Sequence, residues 1–433
     1  MVGTRTRSRQ AAAVLGALLS VVLVASACSS TSSSPPPSAP HGLPAFYVVP
    51  AGVSSKAPGT LLKYEKTAVA GVQAIAYRVM YVSTGIGGKD VAVTGMVFVP
   101  PTAAPTSGRD VVTWSHGTNG MGDICAPSTN YTDEDLTTVP QASLNALLAK
   151  GWVVTASDYQ GEGTPPDLLP YLVGGISGDN TIDIVLAAHQ LSAADTSKHY
   201  VVWGHSEGGQ TAMFAWAAGA TYGARQGFTM LGTVAGAPPT QFASIYAFLE
   251  TSPYRFYLYM ATVGYNTAYG NAAVPLQQIL TAKGISLIPT LQKGCFTYLE
   301  NTLDKYTYSQ LIKQNPTQLA SFAPILAEND PANFSSVPSV PLLIIQGGAD
   351  EQIPVFTTQI LYTHLCSLGA YVERWIYPGL DHYGVIAVST NDMVGWIADR
   401  FAGGAAGGSP APVGVAGVQT ESCGTPTTGS AAS

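Results

Sequence analysis

The residues of this chain with the clearest chemistry are Gly204-His205-Ser206-Glu207-Gly208, a serine with glycine two positions to either side. A serine hydroxyl becomes a useful nucleophile only when a base takes its proton. In a chain this rich in Gly and Ser the bare pattern is expected roughly 0.4 times by chance, so its setting has to decide. The motif directly follows the apolar run Tyr200–Trp203 and opens a stretch of small and apolar residues that continues through Ala220. A strand, a tight turn and a helix in that order lift the hydroxyl above a sheet edge. They also place it at a helix N-terminus, which favours developing negative charge.

The base must be one of seven histidines. Where a serine stands on such a turn, the partners follow it along the chain in the order acid, then histidine. His382 lies in Pro378-Gly379-Leu380-Asp381-His382-Tyr383-Gly384, a loop after the strand-like Tyr371–Tyr377. Catalytic groups of parallel sheets collect at such strand ends. His364 falls inside the helical pattern Phe356–Leu368 and reads as a surface residue. Asp350, in the loop after the apolar strand Leu342–Ile345, is the expected acid that orients the imidazole. Glu351 and Asp381 compete for that role, but Asp381 adjoins His382, and neighbouring side chains on an extended loop diverge. The oxyanion needs two donors. The N–H of Glu207 is one; the second is expected from Thr118 or Gly117 in His116-Gly117-Thr118-Asn119-Gly120, which ends the strand Asp110–Ser115. Asp158 and Glu162, also at a strand end, are expected to stabilise their turn.

The elements that must position these groups are legible in the hydropathy pattern. Ala74–Ser83 and Val91–Val99 alternate and flank a Gly-rich turn, which predicts an antiparallel hairpin. From Asp110 the chain alternates strands (Asp110–Ser115, Trp152–Ala156, Tyr200–Trp203, Leu231–Ala235, Leu342–Ile345, Tyr371–Tyr377) with helical patterns (Gln141–Lys150, Thr181–Leu191, Gln210–Ala220, Phe356–Leu368, Ile386–Phe401). That alternation implies an α/β fold, a mostly parallel sheet with helices on both faces. Between about 238 and 331 it stops. The segment is helical in character and rich in aromatics, too long for a simple loop, and reads as a helical cap insertion.

The chain has 433 residues, of which 46% are hydrophobic and 10% charged, with a formal charge of −7. Arg5, Arg7 and Arg9 are the charged residues of the first 27, so the remainder carries −10. A chain this acidic, without a basic stripe, excludes nucleic acid as a partner held through phosphate contacts. The positive start, the apolar run Ala11–Ala27 and the small residues before Cys28 read as a signal peptide over 1–27. Cys28 in that place is the expected site of lipidation, which would tie the mature protein to the outer face of the cell membrane; the alternative is plain secretion. The Ser/Pro-rich stretch that follows makes 28–45 a flexible tether, leaving 46–433 as the folded domain. Cys125, Cys295, Cys366 and Cys423 contain no C-x-x-C, so disulfides rather than a zinc site are expected, with three pairings open.

At these residues the chain resembles the secretory lipase family of α/β-hydrolases, known from fungi and actinobacteria. The resemblance runs from about Phe46 to Pro426. It is carried by Ala57-Pro58-Gly59-Thr60, Trp114-Ser115-His116-Gly117, Cys125-Ala126-Pro127-Ser128, Ser157-Asp158, Gly204-His205-Ser206-Glu207-Gly208-Gly209 and Cys423-Gly424-Thr425-Pro426. It implies the α/β-hydrolase fold, a triad of Ser206, Asp350 and His382, a helical cap over an acyl-binding channel, and disulfides Cys125–Cys295 and Cys366–Cys423. It departs from some fungal relatives, which have an acidic side chain near the oxyanion position where this chain has His-Gly. The implied function is an exported lipase or esterase acting on acylglycerols or other lipid esters, with no metal or organic cofactor. Rival readings are an acyltransferase using the same triad, a peptidase of the same fold, and a non-catalytic surface-binding lipoprotein. Nothing in the sequence sets an oligomeric state.

Overall fold

A computed structural model of the protein describes residues 39, 42–129, 141–403, 412–413 and 415–424. The signal segment, Cys28 and most of the tether lie outside them.

The strands are β1 (Leu61–Thr67), β2 (Ile75–Thr84), β3 (Asp90–Val99), β4 (Arg109–Ser115), β5 (Val153–Ser157), β6 (Thr196–His205), β7 (Thr229–Gly236), β8 (Leu342–Gly347), β9 (Val372–Tyr377) and β10 (Gln419–Cys423). They form one sheet in the order β1-β2-β3-β5-β4-β6-β7-β8-β9-β10. Strands β5, β4, β6, β7, β8 and β9 are parallel neighbours. The hairpin β2–β3 joins them antiparallel through β5, with β1 outside it, and β10 adds antiparallel to β9.

The central strands are β-branched and aromatic, and their side chains alternate between two cores. On one face Val111, Tyr200 and Val202 meet residues of α2 (Gly174–His189), α3 (Glu207–Ala218) and α11 (Val355–Ser367). On the other, Val112, Trp114, Val201 and Trp203 meet α1 (Gln141–Leu148) and α12 (Gly384–Phe401). Burial on both faces explains why these strands read as continuous apolar runs.

Between β7 and β8 the chain forms α4 (Phe242–Leu249), α5 (Phe256–Ala273), α6 (Leu276–Ile279), α7 (Ala282–Leu287), α8 (Phe296–Leu303), α9 (Tyr308–Leu311) and α10 (Ala323–Glu328). These helices build a third apolar core, which also takes in Met121, Tyr159, Leu169 and Tyr171 from loops at the strand ends. The insertion is thus packed on the edge of the sheet where the candidate residues lie.

The structure differs from the sequence pattern at the margins. β1 and β10 were not legible: both are sheet-edge strands with no fully buried residue, β10 largely exposed and polar, β1 mixing Leu61, Leu62 and Tyr64 with charged residues, so no clean alternation marks them. α2 begins at Gly174, seven residues before its apolar period, because Gly174, Gly175 and Gly178 dilute the helical signal. A Cβ at Gly178 would press into the α3 backbone at Ala215, so close helix packing explains that glycine. Disulfides join Cys125 to Cys295 and Cys366 to Cys423, the pairing the resemblance implies. The first ties the loop after β4 to the start of α8, and the second ties α11 to β10.

Candidate active site

Ser206 stands between β6 and α3 with φ 59° and ψ −125°. Positive φ is costly for a residue with a Cβ, on the order of 1–3 kcal/mol, and persists only where surrounding structure holds it. Here Ser206 N donates to Gly236 O at 2.9 Å, and Ser206 O accepts from Gln210 N at 3.1 Å. The turn also requires close backbone approach. A Cβ at Gly204 would run into Gly208 O, and one at Gly208 into Ser115 O. The glycines of the motif are steric necessities, and they bring α3 directly against the loop that starts at His116.

Asp350 and His382 come together from the loops after β8 and β9. His382 Nδ1 lies 2.9 Å from Asp350 Oδ2 and 3.0 Å from Oδ1, with both side chains fully buried. Asp350 Oδ1 also accepts the backbone N–H groups of Gln352 (3.0 Å) and Ile353 (2.8 Å). The carboxylate is therefore fixed, and its acceptor oxygen puts the imidazole proton on Nδ1. His382 Nε2 is left bare, buried and without a hydrogen-bond partner among the described residues. A catalytic base needs that free lone pair, and contacts to the nucleophile commonly tighten only when substrate is bound. His205 packs its ring 4.5 Å from that of His382. Burial, with the charge of His382 adding, holds His205 far toward its neutral form.

The competing acids lie elsewhere. Asp381 is exposed and its Oδ1 accepts from Gly384 N at 2.6 Å, so it caps a turn. Glu351 does not reach the ring; its Oε2 accepts the backbone N–H of His382 at 3.2 Å and its Oε1 accepts the Tyr254 hydroxyl at 3.2 Å. His364 Nε2 donates to Phe334 O at 2.8 Å, far along α11. Asp158 is buried and receives the N–H of Ser128 at 2.9 Å together with the Ser128 hydroxyl, a loop-fixing role. Glu162 is wholly buried, with Oε2 3.4 Å from His116 Nε2.

The loop carrying Gly117 and Thr118 is held from several sides. His116 Nδ1 donates to Gly117 O at 2.7 Å, the Tyr159 hydroxyl donates to His116 O at 3.0 Å, and Thr118 Oγ1 is 2.7 Å from the Tyr171 hydroxyl. Phe296 N, beside the Cys125–Cys295 disulfide, donates to Asn119 O at 2.7 Å. Glu207, next to Ser206, is buried. Desolvation raises its carboxyl to about 8; the charge of His116 opposes this, the charge of Glu162 adds less than His116 removes, and the Thr118 hydroxyl opposes least.

A small cavity of about 40 Å³ opens beside Ser206 and Glu207. Its walls are mainly Phe242, Ile245, Tyr246, Leu249, Leu258 and Ala261 from α4 and α5, with Tyr171, Gln352 and Ile353 closing it. A larger cavity, about 390 Å³, is lined by Asp179, Phe214 and Tyr269 among others, and none of the candidate residues borders it. Chemistry places the site at the smaller one. Tyr171 and the α4–α5 wall were invisible to motif reading, because only packing brings those apolar residues to the serine.

A mostly parallel sheet with a serine on a sharp turn, and an acid and a histidine on later strand ends, defines an α/β-hydrolase. The sequence profile of the family described as secretory lipase matches residues 130–409, and the chain belongs to that family; it is a carboxylic ester hydrolase of the lipase and esterase kind. A secreted triacylglycerol lipase of Malassezia globosa is 23% identical over 390 residues, covering 84% of this chain and 82% of the relative. A Mycobacterium tuberculosis protein described as a probable inactive lipase is 24% identical over 384 residues, covering 83% and 82%. Among solved structures, Candida antarctica lipase A in its closed state superposes with a TM-score of 0.73 at 19% identity, over 86% of this chain and 87% of that one. The rice cell wall degrading esterase of Xanthomonas oryzae gives 0.64 at 19% identity, over 79% and 98%.

Proposed function

We propose that the protein is an exported serine hydrolase that cleaves lipid esters by two-step acyl transfer through Ser206. The observation that carries this reading is the buried Asp350–His382 pair, whose Nε2 is free, together with a serine held at positive φ. His382 Nε2 takes the Ser206 proton as Oγ attacks the ester carbonyl. The carbonyl oxygen becomes an oxyanion, stabilised by the N–H of Glu207 and that of Thr118 or Gly117. Collapse expels the alcohol, which leaves with the proton from His382, and an acyl-serine remains. Water then attacks it with His382 again as base, the acid is released and Ser206 regains its proton. Asp350 keeps the ring in its Nδ1–H tautomer and stabilises the imidazolium.

The apolar α4–α5 wall supports an acyl chain as the group bound beside Ser206, with residues 238–331 acting as the cap over it. The relatives named as triacylglycerol lipases support acylglycerols or simpler lipid esters as substrates. Their description as secreted supports export; the positive start, the apolar run and Cys28 after it carry the further proposal of a signal peptide over 1–27 and a tether over 28–45 anchored through a lipid on Cys28. An organophosphonate probe followed by mass spectrometry tests the mechanism: the adduct is expected on Ser206, and Ser206→Ala should lose both adduct and turnover. An adduct elsewhere, or turnover retained, refutes it. Product analysis with added alcohols separates hydrolysis from acyl transfer to an alcohol. Mass analysis of the mature N-terminus tests the anchor, an unmodified Cys28 being the refuting result.

A further inference from the structure

The proposed acyl transfer uses Glu207 only through its backbone N–H, yet its side chain is the more unusual part. It is 3% exposed and borders the cavity at Ser206, and its Oε2 is buried with no hydrogen-bond partner among the described residues. A carboxylate in such a place is costly unless a cation meets it, and no lysine or arginine is among the charges acting on this one. The groups facing it are His116 and Thr118 from the loop after β4, Tyr159 and Glu162 from the loop after β5, and Tyr171 from the segment before α2. Behind Glu162 stand two more acids, Asp158 and Asp123. All five neighbours are tied to the stretch 116–118 or belong to it: Tyr159 through His116 O, Glu162 through His116 Nε2, Tyr171 through Thr118 Oγ1, and His116 and Thr118 directly.

We propose that Glu207 is a positioning residue for ester cleavage, its side-chain carboxyl bracing Thr118 and, through the contact of Thr118 Oγ1 with the Tyr171 hydroxyl, Tyr171, so that the 117–118 loop faces the acyl oxygen. The proposal rests on the acyl-transfer reading. At neutral pH the group is a carboxylic acid, since burial and Glu162 raise it to about 8. As an acid its carbonyl oxygen still accepts the Thr118 hydroxyl, with no charge behind the loop. As an anion it sets a negative charge at the rear of the developing oxyanion, opposing the field that the donors supply. Activity therefore falls as pH rises through about 8, and at pH 9 roughly one-tenth of the enzyme keeps the acid form.

The test is kcat and KM from pH 6 to 10, followed by pH-stat on a butyrate ester, with active sites counted by the phosphonate. In the wild type kcat should drop roughly tenfold between pH 7 and 9 while KM holds. Glu207→Gln cannot ionise. It should lose two- to tenfold at pH 7 but show no alkaline limb near 8, whereas Glu207→Leu should lose more at every pH. If the Gln variant yields too few titratable sites, Thr118→Val carries the test. Removing the hydroxyl takes away a partner that favours the ionised carboxyl, so the limb should move to higher pH and kcat should fall. A wild-type profile flat to pH 10, the same limb in Glu207→Gln, or an unshifted limb in Thr118→Val overturns the proposal. A wild type that the phosphonate does not label overturns the acyl-transfer reading instead.

Discussion

Asp350→Asn isolates one proton. The carboxylate makes three kinds of contact: Oδ1 accepts the N–H groups of Gln352 and Ile353, Oδ2 accepts from Gln346 Nε2 at 3.5 Å, and both oxygens lie within 3.0 Å of His382 Nδ1. Asparagine is isosteric and can keep its carbonyl oxygen on the two backbone donors, so the loop should hold and melting should shift by only a few degrees. The amide nitrogen then faces His382 Nδ1 and donates to it. That moves the imidazole proton to Nε2, and the nitrogen that must take the Ser206 proton becomes a donor. The imidazolium also loses its counter-charge. A wrong tautomer of this kind costs about 10⁴ in kcat, or about 5.4 kcal/mol of transition-state stabilisation. The assay is release of p-nitrophenol from a short-chain ester at one pH, with folding checked by circular dichroism. Asp381→Asn should cost less than about threefold, because Asp381 caps an exposed turn. Near-normal rates for Asp350→Asn, or a large loss for Asp381→Asn, would refute the assignment.

Three further outcomes are expected. Ala261→Phe, which fills the cavity beside Ser206 from α5, should slow octanoate esters at least tenfold more than acetate esters; an equal effect on both would place the acyl chain elsewhere. Replacing Cys125 and Cys295 by serine should cost about 2–4 kcal/mol in denaturant unfolding and lower kcat more than the Cys366/Cys423 double variant does, since the first bridge adjoins the loop at Asn119; equal kcat in the two would show that the bridge leaves that loop untouched. Burial and the charge of Asp183, against Arg225, raise Asp179 from 3.8 to about 7 in the folded chain. The unfolded chain gives up that proton first, so this group favours folding less and less as pH climbs through that interval. Asp179→Asn should accordingly raise Tm at pH 8 and leave it unchanged at pH 4, as read by thermal melts at the two values.

The sharp turn at Ser206, the alternation of strands and helices, and the place of Asp350 and His382 on loops after successive strands were all legible in the sequence, and for one reason. Each is a local pattern: Gly204 and Gly208 mark backbone contacts within a few residues of Ser206, and strands buried on both faces read as apolar runs wherever they occur. What depends on distant partners was not legible. β1 and β10 are edge segments without a clear apolar alternation, made into strands by their neighbours, β10 with the Cys366–Cys423 bridge beside it. Asp350 was the expected partner of the ring, but what its neighbour Glu351 does was not legible: only the folded loops turn that carboxylate to the backbone N–H of His382 and to the Tyr254 hydroxyl. The wall beside Ser206 is formed by Phe242, Tyr246, Leu258 and Ala261, apolar residues that look like any helix core until α4 and α5 pack over Ser206. The unusual state of Glu207 likewise belongs to no motif. Its neighbours Glu162, Tyr159, Tyr171 and Thr118 come from two loops, the one after β5 and the one after β4, and their convergence buries the side chain and holds it away from the ordinary carboxylate range.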